Sequence, residues 1–388
     1  MIVDRKWAIR NLGFDPIANP APKQSFAVPG AAVSSAGKDD LEREIIEFDS
    51  EGPEGAAFFA FSTATGLSRF TDIPWPRGLA PKIGAKPNGR GPLPKADVLV
   101  VTWTVDEGHA LSRVLTPGKD SRNDYIPYTH NFAKLSRTMS KGSPAVTSKR
   151  LGAYWTTTIG STKAVIFKSE SHLSQDTNKR LPGGNAPLPN AEVWKQIISE
   201  VRPKLVITTG TAGGIGKEYE VGDVVVSRIV RFDCTKWLKT EPFHDQAFTD
   251  SAPNAAYLPV AKKLFKSNAG QLPKTNTRAP RIVRGAGPST SVLTTDFFGF
   301  DTSNNRYGLQ GLGAVSEMGD AVLGLVAAQM GSEAPRWVAV RNVSDPQIKA
   351  EGTDMQQAQL AAQIYKGFGR WSTVCSAIVC WALIAAEK

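Results

Sequence analysis

From Ala96 onward the chain alternates short apolar runs with longer stretches in which apolar residues recur every three or four positions. The runs ADVLVVTWT (Ala96 to Thr104), GAYWTTTIG, KAVIFKS, KLVITTG, GDVVVSRIVRFDC and RWVAVRNVSD read as strands, and the β-branched content of ADVLVVTWT, KLVITTG and RWVAVRNVSD predicts burial on both faces. NAEVWKQIISEV and EMGDAVLGLVAAQM predict helices. The end, TDMQQAQLAAQIYKGFGRWSTVCSAIVCWALIAAEK, predicts one long helical segment weakened in its middle by Gly367 and Gly369. Strands alternating with helices predict an α/β domain around a central sheet, with no internal repeat.

Residues 1–95 read differently, being rich in Pro, Gly, Ala and Ser. One helix is predicted there, DDLEREIIEF (Asp39 to Phe48), capped by Asp39 or Asp40 and striped by Leu41, Ile45 and Ile46. A turn-rich connector, Pro74 to Lys95, leads into the first strand, which divides the chain into an irregular N-terminal extension, 1–95, and an α/β domain, 96–388. Within that domain Pro117 to Arg150 and Leu173 to Pro189 are Ser-, Lys-, Pro- and Gly-rich and are expected as surface loops or lids.

The bulk composition narrows the chemistry. With 41% hydrophobic and 21% charged residues in 388, the chain is that of a globular protein. No run approaches the ~20 apolar residues needed to span a bilayer, and the first residues lack a secretory pattern, so the expectation is cytosolic with no membrane partner. Cys234, Cys375 and Cys380 form no CxxC, which predicts reduced, buried thiols and no zinc site. The net charge of +10 is spread along the chain. Its densest stretches are KKLFKS (Lys262 to Ser267), which reads as a solvated helix face, and Pro273 to Arg284; no nucleic-acid module accompanies them, so that partner is not expected.

The stretch KLVITTGTAGGIGKEYEVGDVVVS (Lys204 to Ser227) holds the candidate chemistry. Thr209 to Gly216 matches the T-G-x-x-x-G-I-G cofactor loop of short-chain dehydrogenases, but that loop must open a helix to hold a pyrophosphate. Here a turn into a β-branched run follows, and no tyrosine has a lysine four residues on. With its flanks restored the segment resembles the nucleoside phosphorylase and nucleosidase superfamily, especially its 5′-methylthioadenosine/S-adenosylhomocysteine nucleosidase branch. VLVVTWTVDEGHAL, STSVLTTDFFGF, AVSEMGDAVLGLVA and VAVRNVSD resemble further segments of that family in the same order, from Val98 to Asp345. The resemblance implies a three-layer α/β/α fold with a central mixed sheet, cleavage of an N-glycosidic bond, no metal or organic cofactor, and assembly as a homo-oligomer.

It also implies roles. Breaking an N-glycosidic bond places positive charge on the sugar and negative charge on the base, so an acid at the base and an activated nucleophile behind the sugar are required. Asp345 matches the acid, positioned by Ser344, with Arg341 in the same motif; Ser-Asp-Pro after a strand is also an ordinary turn. Glu107 matches the glutamate that activates water, with Asp106 as the alternative one register away and His109 near enough to tune it, and both acids equally suit a helix start. Thr211, Ala212 and Gly213 form the glycine turn against the nucleoside. Phe298 matches the base-stacking aromatic, Phe297 and Phe300 reading as core. Glu317 and Met318 match a Glu-Met pair at the ribose, but where the family has a second glutamate this chain has Gly319, followed by Asp320.

The bacterial purine phosphorylases carry an arginine before the glycine turn, and this chain has Thr208 there, which favours water over phosphate as nucleophile. The expected substrate is a purine nucleoside or nucleotide. In the nucleotide case Lys149, Arg150, Lys179 or Arg180 would hold the phosphates. Phosphorolysis, and a sensor that binds a nucleoside without cleaving it, remain the alternatives, the latter because of Gly319.

Overall fold

The computed structural model describes residues 1–12, 72–89, 91–173, 188–285 and 287–387. The helix expected at Asp39 to Phe48, and Lys179 and Arg180, lie outside them. The strands are β1 (Lys82–Ile83), β2 (Val98–Thr102), β3 (Ile126–Tyr128), β4 (Gly152–Ile159), β5 (Thr162–Ser169), β6 (Leu205–Gly214), β7 (Val224–Ser227), β8 (Ile229–Asp233), β9 (Ala247–Thr249), β10 (Ile282–Gly285), β11 (Val292–Thr295), β12 (Val315–Glu317) and β13 (Arg336–Asp345). The helices are α1 (Arg5–Leu12), α2 (Val105–Leu115), α3 (Phe132–Leu135), α4 (Pro144–Ser148), α5 (Pro189–Val201), α6 (Leu258–Leu264), α7 (Asp320–Met330) and α8 (Asp354–Ala386).

All the strands join one sheet of order β1-β4-β5-β2-β6-β12-β11-β8-β9, from which a branch β13-β7-β10 leaves at β6. The branch point is built into β6 itself. Its residues Leu205 to Thr208 lie between β2 and β13, both parallel, whereas Gly213 and Gly214 pair antiparallel with β12. The run GDVVVSRIVRFDC, expected as one strand, is two, β7 and β8, which go to different branches. Ser227 makes the break by accepting a 3.0 Å hydrogen bond from the Ile229 amide while donating one of 2.8 Å to the Ile229 carbonyl.

Strands buried on both faces need apolar partners on both sides. In β2 Val98 and Val100 pack into one core with α2, α6 and α8, while Leu99 and Val101 pack into the other with α5 and α7. These are the three layers, with a mixed sheet in the middle. The long helix α8 runs unbroken through Gly367 and Gly369 for 33 residues, opened by a capping box of Thr353 and Gln356. It is long and apolar enough to cross a membrane, with a mean hydropathy of 1.4 over its most apolar stretch, contrary to the expectation from the sequence, but most of that stretch is buried inside the fold against β13, β6, α2 and α6.

The region 117–150 is more ordered than a loop, since β3, α3 and α4 lie in it and β3 pairs with β4. Residues 1–12 and 72–89 pack on the α/β body: Trp7 meets Phe368 of α8 edge-on at 6.1 Å, Val3 bridges Ile348, and β1 pairs with β4. The three cysteines are free and buried, and Lys262 and Lys263 lie on the solvated face of α6, as expected.

Candidate active site

Because β2, β6 and β13 run parallel, their C-terminal ends open at one edge of the sheet, where α/β proteins place their sites. A cavity of about 140 Å³ sits there. Glu107, Thr211, Ala212, Gly213, Phe298, Glu317, Met318, Arg341, Ser344 and Asp345 all line it. The register of β13 on β6 brings the two motifs together, Arg341 opposite Gly210, Val343 opposite Ala212 and Asp345 opposite Gly213, with an irregularity between Val343 and Asp345.

Asp345 is 5% exposed, and burial pushes its carboxyl up to about 7, although a 2.6 Å hydrogen bond from the Ser344 hydroxyl favours the ionised form. Its protonated form is therefore available near neutrality. Gly213 is needed beside it, because a Cβ at that position would lie 2.9 Å from Asp345 Oδ2.

Glu107 is also buried but meets opposite surroundings. Thr104 caps α2 and forms a capping box with Glu107 as its third residue, so Oε2 accepts from the Thr104 amide at 3.0 Å, the Trp103 amide at 3.2 Å and the Thr102 hydroxyl at 2.9 Å. Oε1 accepts from the amide and the hydroxyl of Thr211, both at 2.6 Å. Burial works to raise the Glu107 pKa, but the Arg341 charge and the bonds from Thr104 and Thr211 outweigh it, and the net shift is downward. Glu107 thus starts a helix and lines the cavity at once. Gly210, at φ 152°, lets the β6 backbone approach, since a Cβ there would meet the Glu107 carboxylate at 2.4 to 2.7 Å.

Asp106 lines a second cavity together with His109, and Glu107 is the one of the two neighbouring acids that lines the first. His109, expected near Glu107, pairs through its Nδ1 with Asp120 at 2.9 Å and lines the second cavity.

Asp320, expected at the ribose, also lies outside the cavity lining. As first residue of α7 it pairs with Arg341, accepting from Nε at 2.8 Å and Nη2 at 2.5 Å. Arg341 also bonds the Thr211 carbonyl at 3.3 Å, lies 3.1 Å from Glu317 and stacks 4.8 Å over the Trp103 ring. Glu317 accepts from the amides of Gly319 at 2.6 Å and Asp320 at 2.8 Å and from the Thr294 hydroxyl. Burial and the Asp320 charge raise its pKa against the pull of Arg341. Gly319 is outside the left-handed region, at φ −164°, and a Cβ there would touch the Trp103 ring at 3.4 Å.

Phe298 is half-buried at the cavity and packs on Phe300 at 5.9 Å, while Phe297 and Phe300 are core. Of the phosphate candidates, Arg150 is taken by Glu170 at 2.7 Å and Lys149 is exposed at the end of α4, away from the cavity lining. Sequence reasoning missed Trp103, His172, Tyr365 and Lys366 in the lining. Trp103 follows the last residue of β2 and was findable from that place alone. His172, held neutral with a pKa pushed down to about 4 by burial and Lys168, follows β5 with no motif around it. Among the described residues no cluster of His, Cys, Asp and Glu could hold a metal ion.

Fold and cavity define an α/β protein with two buried carboxylates, Glu107 and Asp345, lining one cavity at the ends of its parallel strands. A family model described as the phosphorylase superfamily matches residues 127–370, and the chain belongs to that superfamily of enzymes acting on N-ribosyl bonds. Glu107 lies before the matched span. Among solved structures, a 5′-methylthioadenosine/S-adenosylhomocysteine nucleosidase from Neisseria meningitidis aligns at 17% identity and TM-score 0.45, covering 74% of this chain and 99% of its own. Futalosine hydrolase of Helicobacter pylori aligns at 13% identity and TM-score 0.45 over 74% and 96%. S-adenosylhomocysteine nucleosidase from Streptococcus pyogenes aligns at 14% identity and TM-score 0.44 over 76% and 98%. A search of curated proteins gave no match.

Proposed function

We propose that this protein hydrolyses the N-glycosidic bond of a purine nucleoside or nucleotide and releases the free base. The observation that carries the reading is the pair of buried carboxylates on one cavity, Asp345 with its pKa raised to about 7 and Glu107 with its pKa lowered. Two such groups divide acid and nucleophile-orienting work at neutral pH. The base stacks on Phe298 beside Ala212 and Gly213, where protonated Asp345 gives its proton to a ring nitrogen as the bond to C1′ breaks and its electron pair leaves with the base. Water held by ionised Glu107 forms the new bond at C1′, and its proton passes through Glu107 to solvent while Asp345 is reprotonated.

Water is favoured over phosphate by the state of Arg341 and the identity of Thr208. Arg341 is already bonded to Asp320 and Glu317, and Thr208, where the phosphorylases have arginine, is buried in β6. Chromatographic detection of free base from methylthioadenosine, adenosylhomocysteine, adenosine, inosine, AMP and ATP, with and without phosphate, tests the reading. Phosphate-independent release that disappears in Asp345→Asn is expected; release that requires phosphate makes the protein a phosphorylase. Gly319 favours one second reading, a nucleoside sensor, because the second glutamate of the family is missing at that place, which borders Trp103 and Glu317. Tight binding with no base released from any compound would establish it.

A further inference from the structure

A second cavity, of about 400 Å³, lies across the start of α2 from the first. The two share Lys366 of α8, and consecutive residues of α2 divide between them, Thr104 and Glu107 on one side, Val105 and Asp106 on the other. The Tyr365 hydroxyl donates a 3.0 Å hydrogen bond to Thr104 Oγ1, closing α8 onto the helix start next to that shared lysine.

The lining of the second cavity is unbalanced in charge. Arg10, Arg122, Lys274, Lys366 and Arg370 contribute cations from four separate parts of the chain. The carboxylates are Asp106 and Asp120. Asp120 is engaged by His109 at 2.9 Å and by the Arg122 amide at 2.8 Å, and Asp106 is drawn to Arg370. The cavity therefore keeps an excess of positive charge with room for a polyatomic anion, and guanidinium forks on several sides match the geometry of phosphate oxygens.

In the first cavity the base takes the Asp345 and Phe298 end and the sugar lies at Glu107 and Arg341. Of the rest of the lining, Thr104, Tyr365 and Lys366 form the side that adjoins the second cavity. We propose that the second cavity receives the phosphate-bearing 5′ arm of the substrate, which makes the preferred substrate a 5′-phosphorylated purine nucleoside. This inference rests on the nucleoside reading of the first cavity. It relocates the phosphate site from Lys149 and Arg150, which line neither cavity, to the α2–α8 groove.

The test compares AMP and adenosine in the wild-type protein and in the double variant Arg122→Met, Lys274→Met, whose side chains line only the second cavity and reach solvent. The wild type is expected to prefer AMP by roughly tenfold or more in kcat/KM, and the variant to lose that preference through KM while adenosine turnover stays within about twofold. Equal kcat/KM for the two compounds in the wild type, or a variant that slows both alike, overturns the proposal. Stimulation of adenosine cleavage by inorganic phosphate that the variant abolishes also overturns it, because the cavity then serves free phosphate. Should neither compound be cleaved, the base-release reading fails and calorimetric Kd values decide the inference separately. Salt-sensitive AMP binding, tighter than adenosine binding and weakened by the variant, sustains it, whereas equal or no binding of the two ends it.

Discussion

The two ends of the active-site cavity carry the same functional group in opposite states. Glu107 sits among five hydrogen-bond donors with Arg341 nearby, and these hold it ionised despite burial. Asp345 receives a side-chain bond from Ser344 alone among its neighbours, and burial dominates. Burial depth is thus a poor guide to the charge of a carboxylate, and the supply of donors decides it.

The difference extends to stability. The folded-state pKa of Asp345, near 7, lies above its ordinary 3.8, so the native chain binds an extra proton between those values and stability from this group falls as pH rises through the window. Glu107, lowered from 4.5, contributes stability that is present above that value and lost as pH falls through its folded pKa.

Removing the acid is the most severe way to break the contrast. Asp345→Asn is expected to reduce base release by about 10²- to 10⁴-fold, measured as kcat in single-turnover chromatography. Glu107→Gln is expected to cost about a hundredfold, the lower end of that range, since the wild-type group is a weak base, and to erase the acidic limb of the pH-rate profile while leaving the limb near pH 7. Gly210→Ala drives a Cβ into the Glu107 carboxylate at a positive φ, and a stability loss of about 1–3 kcal/mol in denaturant titration is expected. Asp345→Asn should also stabilise the inactive protein by about 1–3 kcal/mol at pH 8, a gain that vanishes near pH 4; equal unfolding midpoints at pH 8 would show that the aspartate is not held protonated. The smallest effect sharpens the contrast: Ser344→Ala removes the bond that favours the ionised form, so the basic limb of the pH-rate profile moves up by about half a unit.

Much of this was legible in the sequence because the site lies at the ends of strands. Asp345 and Thr211 each end or nearly end an apolar run, where a polar residue stands out against the pattern that precedes it. Asp320 was misplaced because successive residues at a helix start point about 100° apart, and that rotation turns its carboxylate from the cavity to Arg341. His109 fails for the same reason, lying on the side of α2 opposite Glu107. Tyr365 and Lys366 were hidden for another reason. They belong to a helix apolar on most sides, where spacing marks no face, and only the folding of α8 onto α2 brings them to the cavity. The division of GDVVVSRIVRFDC into two strands rests on one serine hydroxyl, which no hydrophobic pattern records.

The pairing of β6 with β13 has a consequence for how the protein can change over generations. Residue by residue, this ladder sets the glycine turn against the strand that ends in the acid, and its irregularity falls just before Asp345. Deleting or inserting a single residue anywhere in Leu205 to Gly213 or Arg336 to Ser344 would turn one strand's side chains over and carry Asp345 or Thr211 to the wrong face. Lineages of this protein are therefore free to lengthen and shorten their surface connections but are locked in length along these two strands, and the gap-free stretches of related sequences should trace the outline of the active site.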